Sequence, residues 1–214
     1  VEGKPPESLT SYDSVIRFHQ YARTYDRSLI ASVRDGLEQA IRRDPGYAEA
    51  FACLAIVYVN WVRFGHEPLA EIADLGKRAL ELALRAVELA PQSSRSHHAL
   101  GLAYWFGGDA AAGLAALRTG LSLNQNDSEV MSELGMRYAL LMEWDKALPL
   151  LEQSFARNPA QPGNSRLALA LYHYMHGRYQ DALMEMRRAK ITNVAQAFLV
   201  QAAAAAKLGL TNQA

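Results

Sequence analysis

The chain has 214 residues, of which 50% are hydrophobic and 21% are charged, with 22 basic and 22 acidic side chains and no net charge. This balance excludes the basic footprint of a dedicated nucleic-acid binder or a polybasic membrane anchor. A single cysteine, Cys53, excludes an intrachain disulfide framework. The longest apolar run, residues 50–59, is too short to span a bilayer, and no secretory leader opens the sequence. We therefore expect a soluble, cytoplasmic chain without membrane insertion.

The first 47 residues are predicted to contain a lead-in and two helices. Residues 1–10 carry Gly3, Pro5 and Pro6 and are expected to be a disordered lead-in. A capping helix is predicted from about Ser11 to Tyr25, as terminal repeats are often atypical. Residues 29–44 have helical spacing of their apolar positions and end before a proline, so they are predicted to form the second helix of a unit spanning 11–47.

The rest of the chain repeats. Pro91, Gln125 and Pro159 lie 34 residues apart, and Pro45 precedes Pro91 by 46, which is one period and an insertion of twelve. A period of 34 is typical of helix–turn–helix repeats. The predicted units are 48–93 with the insertion near 62–75, 94–127, 128–162 and 163–194, followed by a lone helix at 195–209 and a tail at 210–214.

Equivalent positions inside these units agree in size. With units starting at 48, 94, 128 and 163, position seven is always leucine: Leu54, Leu100, Leu134 and Leu169. Tyrosine occupies position eleven in three of the four units, and His173 occupies it in the last. Positions eight, twenty and twenty-seven carry only glycine, alanine or serine. Paired helices need small residues where their axes approach, so these positions are predicted to be the helix crossings.

The insertion is predicted to lengthen both helices of the second unit. His66-Glu67-Pro68 marks a turn, because proline lacks an amide hydrogen and disfavours a helical residue before it. One helix is predicted to run to about Phe64 and the next from about Leu69 to about Leu89. Trp61 and Phe64 would lie on this overhang.

The pattern resembles the tetratricopeptide repeat family. The residues that carry the resemblance are Leu134-Gly135-x-x-Tyr138, Trp144-x-x-Ala147 and Pro159, with Gly177-x-Tyr179-x-x-Ala182 in the next unit. The resemblance implies an all-α, right-handed superhelical α-α solenoid of about five repeats, spanning 11–209 as a single solenoid. The fifth unit departs from the pattern, since it is offset by one residue and has Val194 where the proline belongs.

In this family the first helices line a concave groove, which implies the partner-binding residues. The implied set is apolar and aromatic at its centre and consists of His98, Leu102, Trp105, Phe106, Ser132, Met136, Leu140, Leu171, Tyr174 and Met175. Aromatic and methionine side chains are enriched at interface centres. The alternative partner-binding site is the overhang at Trp61 and Phe64, which could also bind a second copy of the chain as a homodimer.

We predict no catalytic residues, no metal site and no cofactor. The sequence has no complete phosphate-binding loop, nucleophile elbow or zinc-protease motif. His173 and His176 have a spacing compatible with one ion, but no third ligand completes a site. Cys53 lies in the apolar run and is predicted to be a buried, inert thiol. Carboxylates such as Glu133 are interpreted as solvated.

The leading hypothesis is a non-enzymatic scaffold that binds a partner protein or peptide and does not itself bind nucleic acid. The alternative is a sensor whose groove binds a small hydrophobic ligand. The stretch from Tyr12 to Lys77 also resembles, more weakly, the repeat regions of bacterial regulators that carry an N-terminal winged-helix or class III nucleotidyl cyclase domain. That resemblance implies that a cyclase would belong to a parent protein rather than to this segment.

Overall fold

The computed structural model describes residues 11–64, 69–161, 163–189 and 195–210. This part of the chain contains eleven α-helices and no β-strand, which confirms the all-α prediction. None of these helices is long and apolar enough to cross a membrane. In chain order the helices are α1 (Ser11–Thr24), α2 (Ile30–Arg43), α3 (Ala48–Phe64), α4 (Leu69–Leu89), α5 (Ser94–Phe106), α6 (Ala110–Leu123), α7 (Ser128–Leu140), α8 (Trp144–Arg157), α9 (Arg166–Met175), α10 (Tyr179–Ala189) and α11 (Ala195–Lys207).

The helices are grouped in two compact units, Val1–Val130 and Met131–Ala214. In the N-terminal unit, α1 packs on α2, α3 on α4 and α5 on α6, and successive pairs contact each other. In the C-terminal unit, α9 packs on α10, which contacts α11. Each pair buries its inner faces and leaves the remaining apolar surface for a neighbouring pair, as stacked repeats do.

Glycines allow the paired helices to approach closely, as the small positions predict. A Cβ added to Gly101 of α5 would lie 2.6 Å from the Cγ of Leu117, and one added to Gly113 of α6 would lie 3.0 Å from the Gly101 carbonyl oxygen. In the next pair, a Cβ at Gly135 would lie 3.0 Å from the Cγ of Leu151. The prediction that positions eight and twenty are helix crossings is therefore confirmed.

The larger repeated positions form the core of each pair. The leucines of position seven are all buried: Leu54, Leu100, Leu134 and Leu169. At position eleven, Tyr58 and Tyr138 are buried, whereas Tyr104 and His173 are half-buried. The periodicity of large and small residues therefore gave the correct helix faces.

The second repeat is longer than its neighbours. Helix α3 has 17 residues and α4 has 21, against 13 for α5 and 14 for α6. Their ends at Phe64 and Leu69 are those predicted from the insertion. The predicted turn at His66–Pro68 lies outside the described residues, as do the predicted lead-in at 1–10 and most of the tail.

Apart from the lengthened second repeat, the repeats use the same backbone conformation to leave the first helix. Position fifteen has a positive φ at Gly108 (94°), Gly177 (72°) and Gly209 (72°), and the same is true where the residue is Met142 (63°) or Tyr25 (51°). Left-handed backbone is open to glycine but costs an L side chain about 1–2 kcal/mol. Two of the five positions therefore keep a strained residue.

This conformation closes the end of the first helix with a hydrogen bond. The amide that follows position fifteen donates to the carbonyl of position eleven, at 2.9 Å for Asp109 to Tyr104, for Glu143 to Tyr138 and for Arg178 to His173. Such a bond satisfies a carbonyl that the helix itself leaves without a donor. The strained residue is thus part of the turn's architecture.

Candidate functional site

The predicted groove residues of the N-terminal unit differ in how much surface they offer. His98 and Leu102 are buried, whereas Trp105 and Phe106 are half-buried. The guanidinium carbon of Arg63 lies 5.8 Å from the centre of the Phe106 ring. A partner could therefore reach only the two aromatic rings at the end of α5, with His98 and Leu102 packed beneath this surface.

Position two of the first helices carries a ladder of ion pairs in the same unit. The Nε of Arg95 lies 3.6 Å from a carboxylate oxygen of Glu49, and another guanidinium nitrogen donates to Glu129. Burial acts to raise the pKa of Glu129, but the charge of Arg95, its hydrogen bond and the nearby His98 together hold that pKa below its ordinary value. Arg95 therefore links three repeats electrostatically, and its guanidinium group is already paired with two carboxylates.

The C-terminal unit presents the most exposed of the predicted site residues. Leu140 is 54% exposed and Met175 is 48% exposed, although each is the last residue of a first helix, α7 or α9. Leu171 and Tyr174 are half-buried, and the Tyr174 ring packs 5.4 Å from the ring of Tyr179. These residues offer apolar surface at the same end of two adjacent repeats.

Contacts between α7–α8 and α9 support that adjacency. Ser132 and Met136 of α7 are buried, and the hydroxyl of Ser132 hydrogen-bonds to that of Ser165 at the start of α9. The Trp144 and Tyr172 rings are 5.2 Å apart. Ser132 and Met136 thus contribute to packing within the unit, and the exposed surface lies one turn further along α7.

The structure adds two residues that sequence reasoning missed. Leu141 is 42% exposed and Met142 is 51% exposed, directly after Leu140. The sequence did contain an indication of Met142, because methionine stands there where the equivalent turns have Gly108 and Gly177. We define the exposed apolar surface as Leu140, Leu141, Met142 and Met175.

The alternative site at the overhang is built from aromatic side chains that already have partners. The Trp61 ring stacks on Tyr58 at 6.0 Å, with the Arg34 guanidinium 5.6 Å from it. The Phe64 ring lies 5.1 Å from that of Tyr25. Trp61 and Phe64 are each half-buried, and these contacts connect the first two repeats.

Polar groups that could do chemistry are few and separated. Among the described residues, no three His, Cys, Asp or Glu side chains are grouped closely enough to hold a metal ion. The Nδ1 of His176 lies 2.8 Å from the Tyr172 carbonyl oxygen, so this ring is engaged by its own helix. Cys53 is fully buried as predicted, and burial raises the pKa of its thiol well above the ordinary value. A buried, protonated thiol is a poor nucleophile.

The interpretation of Glu133 as solvated was wrong. Its carboxylate pairs with Arg137 one turn along α7, and the side chains are only 13% and 2% exposed. A buried guanidinium requires a paired carboxylate, because an isolated buried charge is costly. The sequence shows only a pair of opposite charges four residues apart, a spacing that is also common on solvated helix faces.

No family model and no curated protein match the chain. Solved structures do. A thermophilic tetratricopeptide repeat protein of Thermus thermophilus, TTC0263, is 21% identical with a TM-score of 0.65, covering 93% of this chain and 99% of that one. PilF of Pseudomonas aeruginosa is 20% identical with a TM-score of 0.61, covering 94% and 87%.

Human IFIT1, solved as a dimer with m7Gppp-AAAA, is 17% identical with a TM-score of 0.69; the match covers 94% of this chain and 48% of that one. At such identities the likeness shows the fold. The paired helices, the glycine crossings and these neighbours together define an all-α solenoid of tetratricopeptide repeats. The family resemblance found in the sequence is thus confirmed at the level of fold.

Proposed function

We propose that this chain is a non-enzymatic interaction module that binds a peptide or helix of a partner protein. The observation that carries the proposal is the exposed apolar surface of the C-terminal unit, where four large side chains are each more than 40% exposed. Large apolar side chains left exposed at the ends of α7 and α9 are the kind of surface that a protein contact covers. Leu171 and Tyr174 would flank the partner.

The backbone of Met142 supports the same proposal. A left-handed conformation is unfavourable for methionine, and its half-exposed side chain recovers little by burial. Strained residues persist where their side chain has a use, which is often a ligand contact. A glycine would serve the turn equally well, as Gly108 and Gly177 show, so the methionine side chain is kept for a contact outside the folded chain.

We expect Trp105 and Phe106 of the N-terminal unit to contribute a further contact surface. His98, Leu102, Ser132 and Met136 would act by supporting the helices that carry the exposed residues. We further expect the chain to bind no nucleic acid, because its acidic and basic side chains balance. An RNA oligonucleotide serves as the negative control below.

A second candidate function is a sensor for a small hydrophobic ligand. A cavity of about 520 Å³ in the N-terminal unit is lined by residues that include Val62, Leu80, Tyr104, Phe106 and Lys77. Its volume lies in the range of ligand sites. The resemblance to repeat regions of bacterial regulators favours the same candidate, which remains a proposal based on the sequence pattern.

The test starts from a phage-displayed library of random peptides selected on the whole chain. A selected peptide is then measured by fluorescence anisotropy against the parent and variants. We expect Leu140→Ser with Met175→Ser to weaken binding at least tenfold, or about 1.4 kcal/mol. The reason is that burial of such side chains contributes about 1.5–3 kcal/mol each before association costs.

The matched control changes two exposed apolar residues of α11, Phe198→Ser with Leu199→Ser, which are 50% and 69% exposed. This variant should bind the peptide as the parent does. The proposed surface would be refuted if both variants lost affinity for the peptide equally. It would also be refuted if the Leu140 and Met175 substitutions left the affinity of the selected peptides unchanged. Binding of the RNA oligonucleotide in place of peptides would refute the proposed partner class.

A further inference from the structure

A second groove lies in the N-terminal unit, on the side of the second helices. Helices α2 and α4 form its walls and α3 forms its floor, and together they enclose about 510 Å³ that is open to solvent along one side. None of its residues was among the predicted partner-binding residues. The groove is formed because α2 and α4 belong to successive repeats and both pack on the helix between them.

The floor of this α2–α4 groove is an apolar strip. Phe51, Leu54 and Tyr58 lie on one face of α3 at spacings of three and four residues, which covers about 10 Å of helix. Ile41 of α2 and Leu82 of α4 extend the strip onto the walls and, like Phe51, are half-buried, whereas Leu54 and Tyr58 are buried beneath them. Phe51, Ile41 and Leu82 therefore supply the accessible apolar surface. A strip of two helical turns between two helices is complementary to the apolar face of a third helix.

The groove is lined by three arginines, Arg42, Arg78 and Arg85, and by two carboxylates, Glu38 and Glu81. Arg42 lies 3.7 Å from Glu38 and Arg85 lies 2.7 Å from Glu88, so each of these guanidinium groups is paired. Arg78 is different. Its guanidinium carbon lies 5.5 Å from the centre of the Tyr58 ring, and no described carboxylate pairs with it.

The surroundings of Arg78 hold it ready for an incoming anion. The Tyr58 hydroxyl donates to Glu38 at 3.0 Å, which fixes the ring that lies near the Arg78 guanidinium. A planar guanidinium on an aromatic face keeps its edge free for a carboxylate, and such charge-assisted pairs are short and directional. Three arginines against two glutamates leave the lining with one net positive charge, so the groove favours an acidic group beside an apolar one.

We propose that the α2–α4 groove binds an amphipathic helix of a partner protein, with the apolar face of that helix on Phe51, Ile41 and Leu82 and an Asp or Glu side chain on Arg78. This site is additional to the exposed apolar surface of the C-terminal unit and does not depend on it. An open, two-turn groove fits a helix rather than a small ligand, since a helix covers the whole strip and continues past both ends.

The test uses a phage-displayed library of helical peptides, selected on the whole chain and counter-selected on the Arg78→Glu variant. We expect the enriched helices to share apolar residues at spacings of three, four and seven with an acidic residue beside them. One enriched helix is then titrated while the methyl signals of Ile41, Leu54 and Leu82 are followed by NMR. Arg78→Glu should weaken its binding at least tenfold, and a Lys-for-Glu version of the helix should recover affinity for that variant.

Controls separate this site from others. Arg118→Glu changes an exposed arginine of α6 whose Nε donates to the Leu114 carbonyl in its own helix, and it should bind as the parent does. The Leu140→Ser, Met175→Ser variant should also bind the helix normally, which distinguishes this site from the proposed function. If no helix is enriched over the counter-selection, or the charge swap gives no recovery, the proposal is wrong. Decanoate, a fatty-acid anion, tests for a small ligand in the same groove. If decanoate shifts these methyl signals in the parent but not in Arg78→Glu, and helical peptides shift them in neither, the groove is a small-anion site instead.

Discussion

Replacing Met142 with glycine is expected to stabilise the C-terminal unit. The left-handed backbone of Met142 costs about 1–2 kcal/mol, and glycine removes this cost. Glycine in turn loses about 0.5–1 kcal/mol through its greater freedom in the unfolded chain. The side chain is half-exposed, so little burial is lost. The expected net gain is about 0.5–1 kcal/mol.

Urea unfolding, followed by circular dichroism, measures this gain. With a slope of about 1–3 kcal/mol per molar, the midpoint should rise by roughly 0.2–1 M at an unchanged slope. Met142→Ala is the first control, because it removes the same side chain but leaves the backbone strained and should give no gain. The same glycine variant should weaken binding of a selected peptide, if the side chain is kept for a partner.

The reverse substitution isolates the backbone effect. A Cβ at Gly177 would meet no atom within 4 Å, so Gly177→Ala adds no steric clash and should cost the left-handed penalty less the chain entropy that glycine loses on folding. We expect its midpoint to fall by about as much as the Met142→Gly midpoint rises. A Met142→Gly midpoint at or below that of the parent, together with an unaffected Gly177→Ala variant, would refute the strain argument.

Three further predictions concern the N-terminal unit. Gly101→Ala should destabilise it by about 1–3 kcal/mol, because the added methyl group overpacks against Leu117. Gly76→Ala should stabilise it by about 0.5–1 kcal/mol, because no atom lies within 4 Å of the added Cβ. Urea midpoints measure both changes, and equal shifts would contradict the described packing. The folded pKa of Glu129 lies below its ordinary value of 4.5, so its ion pair stabilises the fold above that pH and is lost as the pH falls. The urea midpoint of Glu129→Gln should therefore change less than that of the parent between about pH 6 and about pH 3. The Cys53 thiol should react with Ellman's reagent only as the unit unfolds, and rapid labelling of the native chain would show that the thiol is accessible.

The helix pairs could be predicted from the sequence because the repeat imposes side-chain size at fixed positions. Gly101, Gly113 and Gly135 mark close approaches where a larger side chain would crowd the facing helix, and the helix faces follow from them. The turns at Gly108 and Gly177 could be predicted as well, because glycine recurs there at a fixed repeat position. Tyr25 and Met142 adopt the same conformation without glycine, and only the equivalence of repeat positions could have indicated it.

The candidate site was harder to predict, because a position on the inner face of a repeat does not determine depth. Leu102 and Met136 occupy the same repeat position and are both buried, whereas Leu140, one turn beyond Met136, is 54% exposed. Depth depends on which side chains neighbouring repeats place over each residue. The burial of Arg137 has the same origin, since its spacing from Glu133 is identical in solvated and buried pairs.

The charge ladder of Glu49, Arg95 and Glu129 makes the order of the repeats part of the information in the chain. The arginine repeat has an acidic neighbour on each side. Deleting that repeat would bring two carboxylates together, and duplicating it would do the same to two guanidinium groups. Repeats of similar side-chain size therefore differ in the charge at position two. This difference disfavours the loss or duplication of a repeat and its pairing with the wrong neighbour during folding.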